Sequence, residues 1–593
     1  MKQKILFGAA YSIIEPLGLL HLGGLARDLG FETDYCLVKN QEYSEFHDKV
    51  KAEKPDFVGF NVYTGNHLSL YKYLGLLKKE FPKIKTILGG PHSSYFPYEA
   101  VKHADYVVMS EGFTGLKQIL LGEAAKGVIP PARESFTFPI PDRKKFYSLY
   151  PKHGSSPIKS IITMTGCPFR CTYCYNSSNI EDVTSGLSKE VLLKFDKSRL
   201  PGRLFAWNIR TVDAVIQEAI ELVKNYPTKM IYFQDDVFGM KLKWLEEFAK
   251  RWPKEVGIKW HAQMRWEMTV GESGCQRLDL CKSAGCSGLT LAIEAADPVM
   301  RAEVLDRTMP QEMIFEGMKN CTDRGLMIRT EQITGLPYGA TSAPTKINLG
   351  ADLQILELNV RLRENTGGPH IAWASTFVPY ARTRLGIYST NYGFYGNPGD
   401  ENWDIKDTFF EKSVLKFLKN YVGPELKEKK NLQDLWLSGQ ELEQYRNQNA
   451  QLRHHFNVFA YLDKGHEFAE KYIKRGEYTF EALGEMVRDW QKHKISKEDE
   501  KKFISKISQY IKTESQKKSV VSLAPYLMSV PYPEELARRF LNYAEKKGHE
   551  MSVLSDAVRH HLYDYVVYQV EAPSDTSSSY SIKLPGSAIS YEC

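Results

Sequence analysis

The sequence predicts an α/β protein built as two successive parallel sheets, followed by a mainly helical third region. Three observations predict this. Short apolar runs alternate with amphipathic helices up to about residue 135, and the same alternation resumes over 158–395 after a proline-rich break. Beyond about residue 400 the pattern turns long, polar and helical. A chain of 593 residues also exceeds the roughly 250–300 residues that one core supports, so several domains are expected.

The first segment opens with a strand, Ile5-Leu6-Phe7-Gly8. A helix follows whose apolar face carries Leu19, Leu20, Leu22, Leu25 and Leu29, and Gly30 ends it. Strands are expected over 31–38 and 56–62, a helix over 68–81, then strands at Thr86-Ile87-Leu88-Gly89-Gly90 and Tyr106-Val107-Val108-Met109. Such alternation builds a buried, open parallel sheet, whose ligands bind beyond the carboxyl ends of its strands. Those ends carry Pro16-Leu17-Gly18, Tyr63-Thr64-Gly65, Gly89-Gly90-Pro91-His92 and Glu111-Gly112.

Pro130 and Pro131, then Pro139 and Pro141, mark a break, so residues 1–135 read as a first domain and 136–157 as a linker. Strands over 160–163, 230–234, 259–263, 288–292, 327–333 and 370–376 then make six βα units. They predict a partial (β/α)6 TIM barrel over 158–395, with its site at the C-terminal strand ends. Residues 396–593 are expected to be mainly helical, with helices over 432–450 and 533–547 and a Ser- and Tyr-rich tail.

No run approaches the roughly 20 apolar residues of a bilayer span, and Met1-Lys2-Gln3-Lys4 leads directly into a strand, so a cytoplasmic address is expected. The net charge of +6 is spread along the chain. Its densest basic stretch, 492–518, alternates with Glu and Asp as a solvated helical face, which argues against a nucleic-acid partner. Three of the nine cysteines fall within eight residues, a clustering that favours metal or redox chemistry over disulfides.

That cluster is Gly166-Cys167-Pro168-Phe169-Arg170-Cys171-Thr172-Tyr173-Cys174-Tyr175, directly after the first barrel strand. The C-x3-C-x2-C spacing suits three corners of a [4Fe-4S] cubane, leaving the fourth iron open to another ligand. Zinc is the main alternative, but structural zinc wants four ligands and no fourth Cys or His follows at the usual spacing. Haem attachment would need His where Tyr175 stands. Cys275, Cys281 and Cys286 span a helix and its exit into a strand, and read as core packing rather than a second cluster. Cys36 and Cys321 read as buried thiols.

With Tyr173 in its aromatic slot, the motif resembles C-x3-C-x-aromatic-C of the radical S-adenosylmethionine (SAM) superfamily. Over about residues 1–395 the chain further resembles the subgroup with an N-terminal cobalamin (B12)-binding domain. Ile87-Leu88-Gly89-Gly90-Pro91-His92 resembles its B12-domain loop, and Phe138-Pro139-Ile140-Pro141-Asp142-Arg143 its linker. Phe233-Gln234-Asp235-Asp236, His261-Ala262-Gln263-Met264-Arg265, Ile293-Glu294 and Thr334-Gly335-Leu336-Pro337 resemble its barrel strand ends.

The resemblance implies a Rossmann-like B12-binding sheet and a cluster on Cys167, Cys171 and Cys174, with SAM on the open iron. Asp235 and Asp236 would then take the SAM amino group, and Gln263 and Arg265 its carboxylate. Glu294 would contact the ribose or amino group and Tyr173 the adenine. Pro16, Leu17, Gly18, Tyr63, Thr64, Gly89, Gly90, Pro91, His92, Glu111 and Gly112 are the implied cobalamin contacts. The lower-ligand motif D-x-H-x-x-G is absent, since His21, His67, His92 and His103 lack an Asp two residues before. Cobalamin would therefore bind without a histidine ligand, and a flavodoxin-like sheet without B12 is the alternative. The implied activity is methyl transfer to an unactivated carbon through a 5′-deoxyadenosyl radical, fed by an external electron donor. Cyclisation, rearrangement or sulfur insertion with the same cofactors is the rival, and a metal-bearing binding protein without turnover is another. A small metabolite, lipid, tetrapyrrole or protein side chain would all serve as substrate.

Overall fold

Alternate residues of the first strands serve opposite layers, which is what makes the N-terminal sheet buried on both faces. In the computed structural model Ile5, Phe7, Tyr35, Leu37, Phe57, Ile87 and Tyr106 join one core. Their neighbours Leu6, Cys36, Val58, Leu88 and Val107 join another. The structure describes residues 2–12, 14–131, 137–178, 204–205, 207–336, 350–380, 382–386, 459, 462, 464–477, 480–491, 495–529 and 533–547.

The strands are β1 (Lys4–Ala10), β2 (Glu32–Val38), β3 (Phe57–Asn61), β4 (Lys85–Gly89), β5 (Tyr106–Val108) and β6 (Gly127–Ile129). They lie in the order β2-β1-β3-β4-β5-β6, every adjoining pair parallel. The chain switches direction of winding at β1, which pairs with both β2 and β3. Loops leaving the carboxyl ends there diverge and open a crevice. β6, three residues long, is the strand that the sequence pattern did not announce.

Residues 137–157 are built into the junction between the sheets. Pro139 O meets His21 Nδ1 at 2.7 Å, and Tyr35 Oη donates to Asp142 at 3.1 Å. Arg143, 5% exposed, donates to Glu218 at 2.6 Å and reaches Glu15 at 3.5 Å. Glu15 belongs to the first sheet's loops and Glu218 to the helix Val212–Asn225, so one buried guanidinium ties both units. Removing one partner of such a network leaves a buried charge unpaired.

The second sheet has β7 (Ile158–Ile161), β10 (Met230–Phe233), β11 (Lys259–Met264), β12 (Cys286–Glu294), β13 (Met327–Thr334) and β14 (Ile371–Thr376), with a two-residue antiparallel pair, β8 (Met164–Thr165) and β9 (Asn208–Ile209), between β7 and β10. Its order is β14-β13-β12-β11-β10-β7, all parallel, with β7 and β14 at opposite edges. That is the expected partial barrel of six strands. Trp252, Trp260 and Phe248 of its outer layer share a core with Ile5 and Phe7 of the first sheet.

Helices Gly465–Arg475, Phe480–Trp490, Lys497–Ile507, Glu514–Met528 and Pro533–Lys547 cap the β14 side. Phe468, Tyr472, Leu523 and Leu527 pack there with Val360 and Ala372. The last of these helices was expected; the helix expected over 432–450 and the Ser- and Tyr-rich tail lie outside the described residues. Among the described residues no helix is long and apolar enough to cross a membrane.

Candidate active site

The cysteine loop leaves the carboxyl end of β7 through Gly166, whose φ of 67° is open to glycine without strain. Cys171 is buried and Cys167 and Cys174 are half-buried, and none of the described cysteines is in a disulfide. The loop is pinned from several sides. Thr172 donates its N–H to Leu305 O at 3.1 Å and its hydroxyl to Val304 O at 2.6 Å, at the end of a π-helical turn, Met300–Val304. The Ser177 hydroxyl lies 2.6 Å from Cys171 O and 2.8 Å from Cys174 O. From the first domain, Tyr95 donates to Tyr175 O at 2.5 Å.

Burial pushes the Cys167 thiol up to about 11 and Cys174 further still. Thiols so placed keep their protons until a cation displaces them. Arg265 Nη1 stands 3.3 Å from Cys171 Sγ, its guanidinium 3.8 Å over the Phe169 ring. Among the described residues no three ligand side chains close tightly enough to hold a single ion. A cubane asks less, because each thiolate takes a separate iron. Three soft sulfurs on one loop fit an iron–sulfur cluster.

The two adjacent aspartates after β10 face different ways. Asp235, fully buried, accepts from Thr163 N–H at 2.6 Å, Met164 N–H at 2.9 Å and the Thr163 hydroxyl at 2.7 Å. Desolvation outweighs those donors and pushes its carboxyl up to about 7. It holds the turn that launches the cysteine loop. Asp236 accepts from Asn176 Nδ2 at 2.6 Å, two residues past Cys174, and burial raises it to about 6.

Glu294 ends β12 at a register slip, with φ 67°. Tyr173 Oη donates to its Oε1 at 2.6 Å, and Arg307 Nη1 donates to Tyr173 Oη at 3.0 Å. Arg265 also pairs with Glu267, with Nε 3.2 Å from Oε2. Gln263 is half-buried on β11, its carbonyl taken by Phe238 N–H at 2.8 Å. Thus Tyr173, Glu294, Arg265 and Asp236 border the cysteine loop, whereas both oxygens of Asp235 are engaged behind it. Sequence reasoning missed Asn176, Arg307 and Thr163. Only Asn176, directly after the motif, offered a local signal.

Between the first sheet and the start of the barrel, a cavity of about 180 Å³ lies beyond the carboxyl ends of β3, β4 and β5. Gly18, Gly89, Gly90, Glu111 and Gly112 line it from the first domain, and Ile162 and Thr165 from the barrel. A Cβ at Gly18 would meet nothing within 4 Å, and one at Gly89 only Val108 O at 3.7 Å, so the backbone there is a true cradle. Gly90 serves a turn instead: at φ 90° its Cβ would fall 1.9 Å from Asn61 Oδ1. Ser110 Oγ and Glu111 Oε2 are buried, the serine hydroxyl reaching only the Glu111 carboxyl, and burial pushes that carboxyl up to about 7. An apolar cradle with unpaired polar atoms fits the nucleotide end of a corrinoid and is too small for the macrocycle.

Pro16, Leu17, Tyr63, Thr64, Pro91 and His92 lie off this cavity. His92 is fully buried, its ring stacked on His67 at 4.0 Å with Nδ1 2.9 Å from Thr64 Oγ1. Tyr63, 49% exposed, lies within electrostatic reach of Tyr175. Cys281, Cys286 and Cys321 are buried thiols of the outer core, Cys286 Sγ donating to Gly288 O at 3.3 Å, as a protonated thiol does. Pro337 lies outside the described residues.

A family model described as the B12 binding domain matches residues 3–120, and one described as the Radical SAM superfamily matches residues 161–339. An uncharacterized methyltransferase of Pyrococcus horikoshii is 25% identical over 354 residues, which cover 54% of this chain and 70% of that protein. The anaerobic magnesium-protoporphyrin IX monomethyl ester cyclase of Rubrivivax gelatinosus is 20% identical, over 54% of this chain and 59% of its own. The hopanoid C-3 methylase of Methylococcus capsulatus is 23% identical, over 29% and 38%. Among solved structures, the radical S-adenosylmethionine methyltransferase TsrM of Kitasatospora setae aligns with a TM-score of 0.48 at 15% identity, covering 67% of this chain and 78% of its own.

Proposed function

The chain belongs to the radical SAM superfamily, in the group that carries an N-terminal cobalamin-binding domain, and from that premise we propose that it transfers a methyl group to an unactivated carbon of its substrate. The observation that carries the proposal is the contact between Tyr95 and Tyr175 O, 2.5 Å. It brings the segment after β4 of the first sheet against the cysteine loop, which supports a corrinoid held by that sheet acting beside the cluster. Similar proteins named as methyltransferases and a methylase support methyl transfer as the outcome.

When bound, the cluster supplies one electron to SAM and the corrinoid carries the methyl group. The chain's own residues bind and orient. Cys167, Cys171 and Cys174 hold three irons. Asp236, steadied by Asn176, offers a carboxylate to an ammonium group, and Arg265 offers a guanidinium to a carboxylate. Tyr173, Glu294 and Arg307 form a fixed polar wall for the adenosyl end. Asp235 keeps the loop in register from behind, and the Phe169 ring, stacked under the guanidinium, orients Arg265.

Cyclisation is the second reading, favoured by the similarity to the Rubrivivax cyclase. Anaerobically reconstituted protein, given methyl-labelled SAM and a cell extract, decides between them. Methyl transfer predicts 5′-deoxyadenosine together with a product that gains the labelled methyl. A product without the label would be a cyclisation or rearrangement. Iron-loaded protein that never cleaves SAM under reduction would rule out both.

A further inference from the structure

The cavity at the edge of the first sheet has room for one bicyclic aromatic base, at about 180 Å³. Its walls are mainly apolar, from Phe7, Leu22, Phe60, Ile87, Phe113 and Phe138. Five polar side chains interrupt them, His21, Asn61, Ser110, Glu111 and Thr165, and Asn61 is already engaged, donating to Tyr63 Oη at 3.1 Å. His21 is 1% exposed and stands in the wall with Nδ1 2.7 Å from Pro139 O. A carbonyl only accepts, so the ring proton sits on Nδ1 and Nε2 keeps its lone pair. That Nε2 has no partner. Glu218, whose charge reaches His21, is engaged by Arg143 and Arg210. Burial holds the imidazole down to about 4, so the ring stays a neutral acceptor near pH 7. At the end of β5 the Ser110 hydroxyl reaches only its neighbour, the Glu111 carboxyl, and Glu111 Oε2 is buried with no well-aligned donor.

Buried polar atoms normally find partners, and a guest that leaves them unpaired forfeits affinity. We propose that this pocket selects its cobamide by the lower base, preferring a base whose edge carries N–H or O–H donors, such as adenine or a hydroxybenzimidazole, over the dimethylbenzimidazole of cobalamin. The inference rests on the reading of the first domain as corrinoid-binding. Dimethylbenzimidazole turns methyl and C–H groups toward the wall and leaves His21 Nε2 and Glu111 Oε2 without donors. An exocyclic amino or phenolic group supplies one. Ser110 Oγ, as donor and acceptor, completes the edge.

The full-length, cluster-loaded protein is titrated anaerobically with four probes: cobalamin, its adenine analogue, its 5-hydroxybenzimidazole analogue, and cobinamide, which has no base. The adenine or hydroxy analogue is expected to bind about tenfold more tightly than cobalamin, with cobinamide weakest. In His21→Phe and Glu111→Met variants of unchanged iron content, the preference is expected to shrink to about twofold or less. If a variant fails to fold, the comparison on the unaltered protein still decides. Cobalamin binding as tightly as both analogues, or more tightly, overturns the selectivity while leaving corrinoid binding intact. Failure of all four probes to bind folded protein overturns the reading of the domain itself, and the selectivity with it.

Discussion

The Tyr173 hydroxyl donates to Glu294 Oε1 across 2.6 Å, joining the cysteine loop to the end of β12, 121 residues away in sequence. Arg307 completes the group from 3.0 Å. Glu294 holds a left-handed backbone, φ 67°, a conformation that non-glycine residues keep only when their surroundings impose it. The Tyr–Glu–Arg group is the imposing element, and it stands where the adenosyl end of SAM is proposed to lie.

Tyr173→Phe deletes the donor and leaves a buried carboxylate short of one hydrogen bond. Iron content should be unchanged, because the three cysteines are untouched. SAM affinity should fall about tenfold, since an unpaired buried partner costs roughly 1–3 kcal/mol. Equilibrium binding of SAM to reconstituted protein measures this, and an unaltered affinity would remove Tyr173 from the site.

Asp235 and Asp236 should part company on mutation. Asp235→Asn places an amide against two backbone N–H groups and one hydroxyl, so it should loosen the loop and lower iron incorporation. Asp236→Asn should load iron normally and weaken SAM binding by about a factor of ten to a hundred, the usual range for a lost charged hydrogen bond. Iron analysis beside SAM titration separates the two. The opposite pattern would mean that their roles are exchanged.

Gly18→Leu and Gly89→Leu should block corrinoid binding without disturbing the fold, because each new side chain enters open space. Gly90→Val should instead destabilise the first domain, because its Cβ would strike Asn61 at a positive φ. Thermal melting followed by cobalamin titration tests both statements. Normal binding in Gly18→Leu would place the corrinoid elsewhere.

Three buried histidines should each cost the apo protein stability in acid. Burial holds His21 to about 4, His261 to about 3 and His370 to about 4. Below pH 6.5 the unfolded chain takes up protons that the folded chain refuses. The histidines' contribution to stability is therefore complete above pH 6.5 and lost as pH falls toward 4, by up to about 3 kcal/mol for each group. The raised carboxyls of Asp235, Glu111 and Asp236 act in the opposite sense, by taking up protons in the fold between pH 7 and 5. From pH 7 to pH 5 the urea midpoint should fall less, or rise more, in His261→Gln than in the unaltered protein. An identical change in His261→Gln and the unaltered protein would show that this ring is protonated in the fold.

The sequence by itself determined the two parallel sheets, the six barrel strands and the cysteine loop, because burial period and ligand spacing are local properties of a chain. β1 to β5, β7 and β10 to β14 could be read wherever apolar residues ran unbroken or alternated between breakers, whereas the two-residue pair β8 and β9 could not. β6 could not, at three residues, nor could helix Ser44–Glu53, whose buried face is only Phe46 and Val50. Tertiary structure alone decided that Asp235 braces the loop while its neighbour Asp236 borders the site, that Arg307 and Glu294 meet Tyr173, and that His21 turns Nδ1 to Pro139. Each depends on side chains brought together across tens to hundreds of residues. No periodicity records such pairings, because a backbone pattern specifies which face a residue occupies and only packing specifies what it meets there.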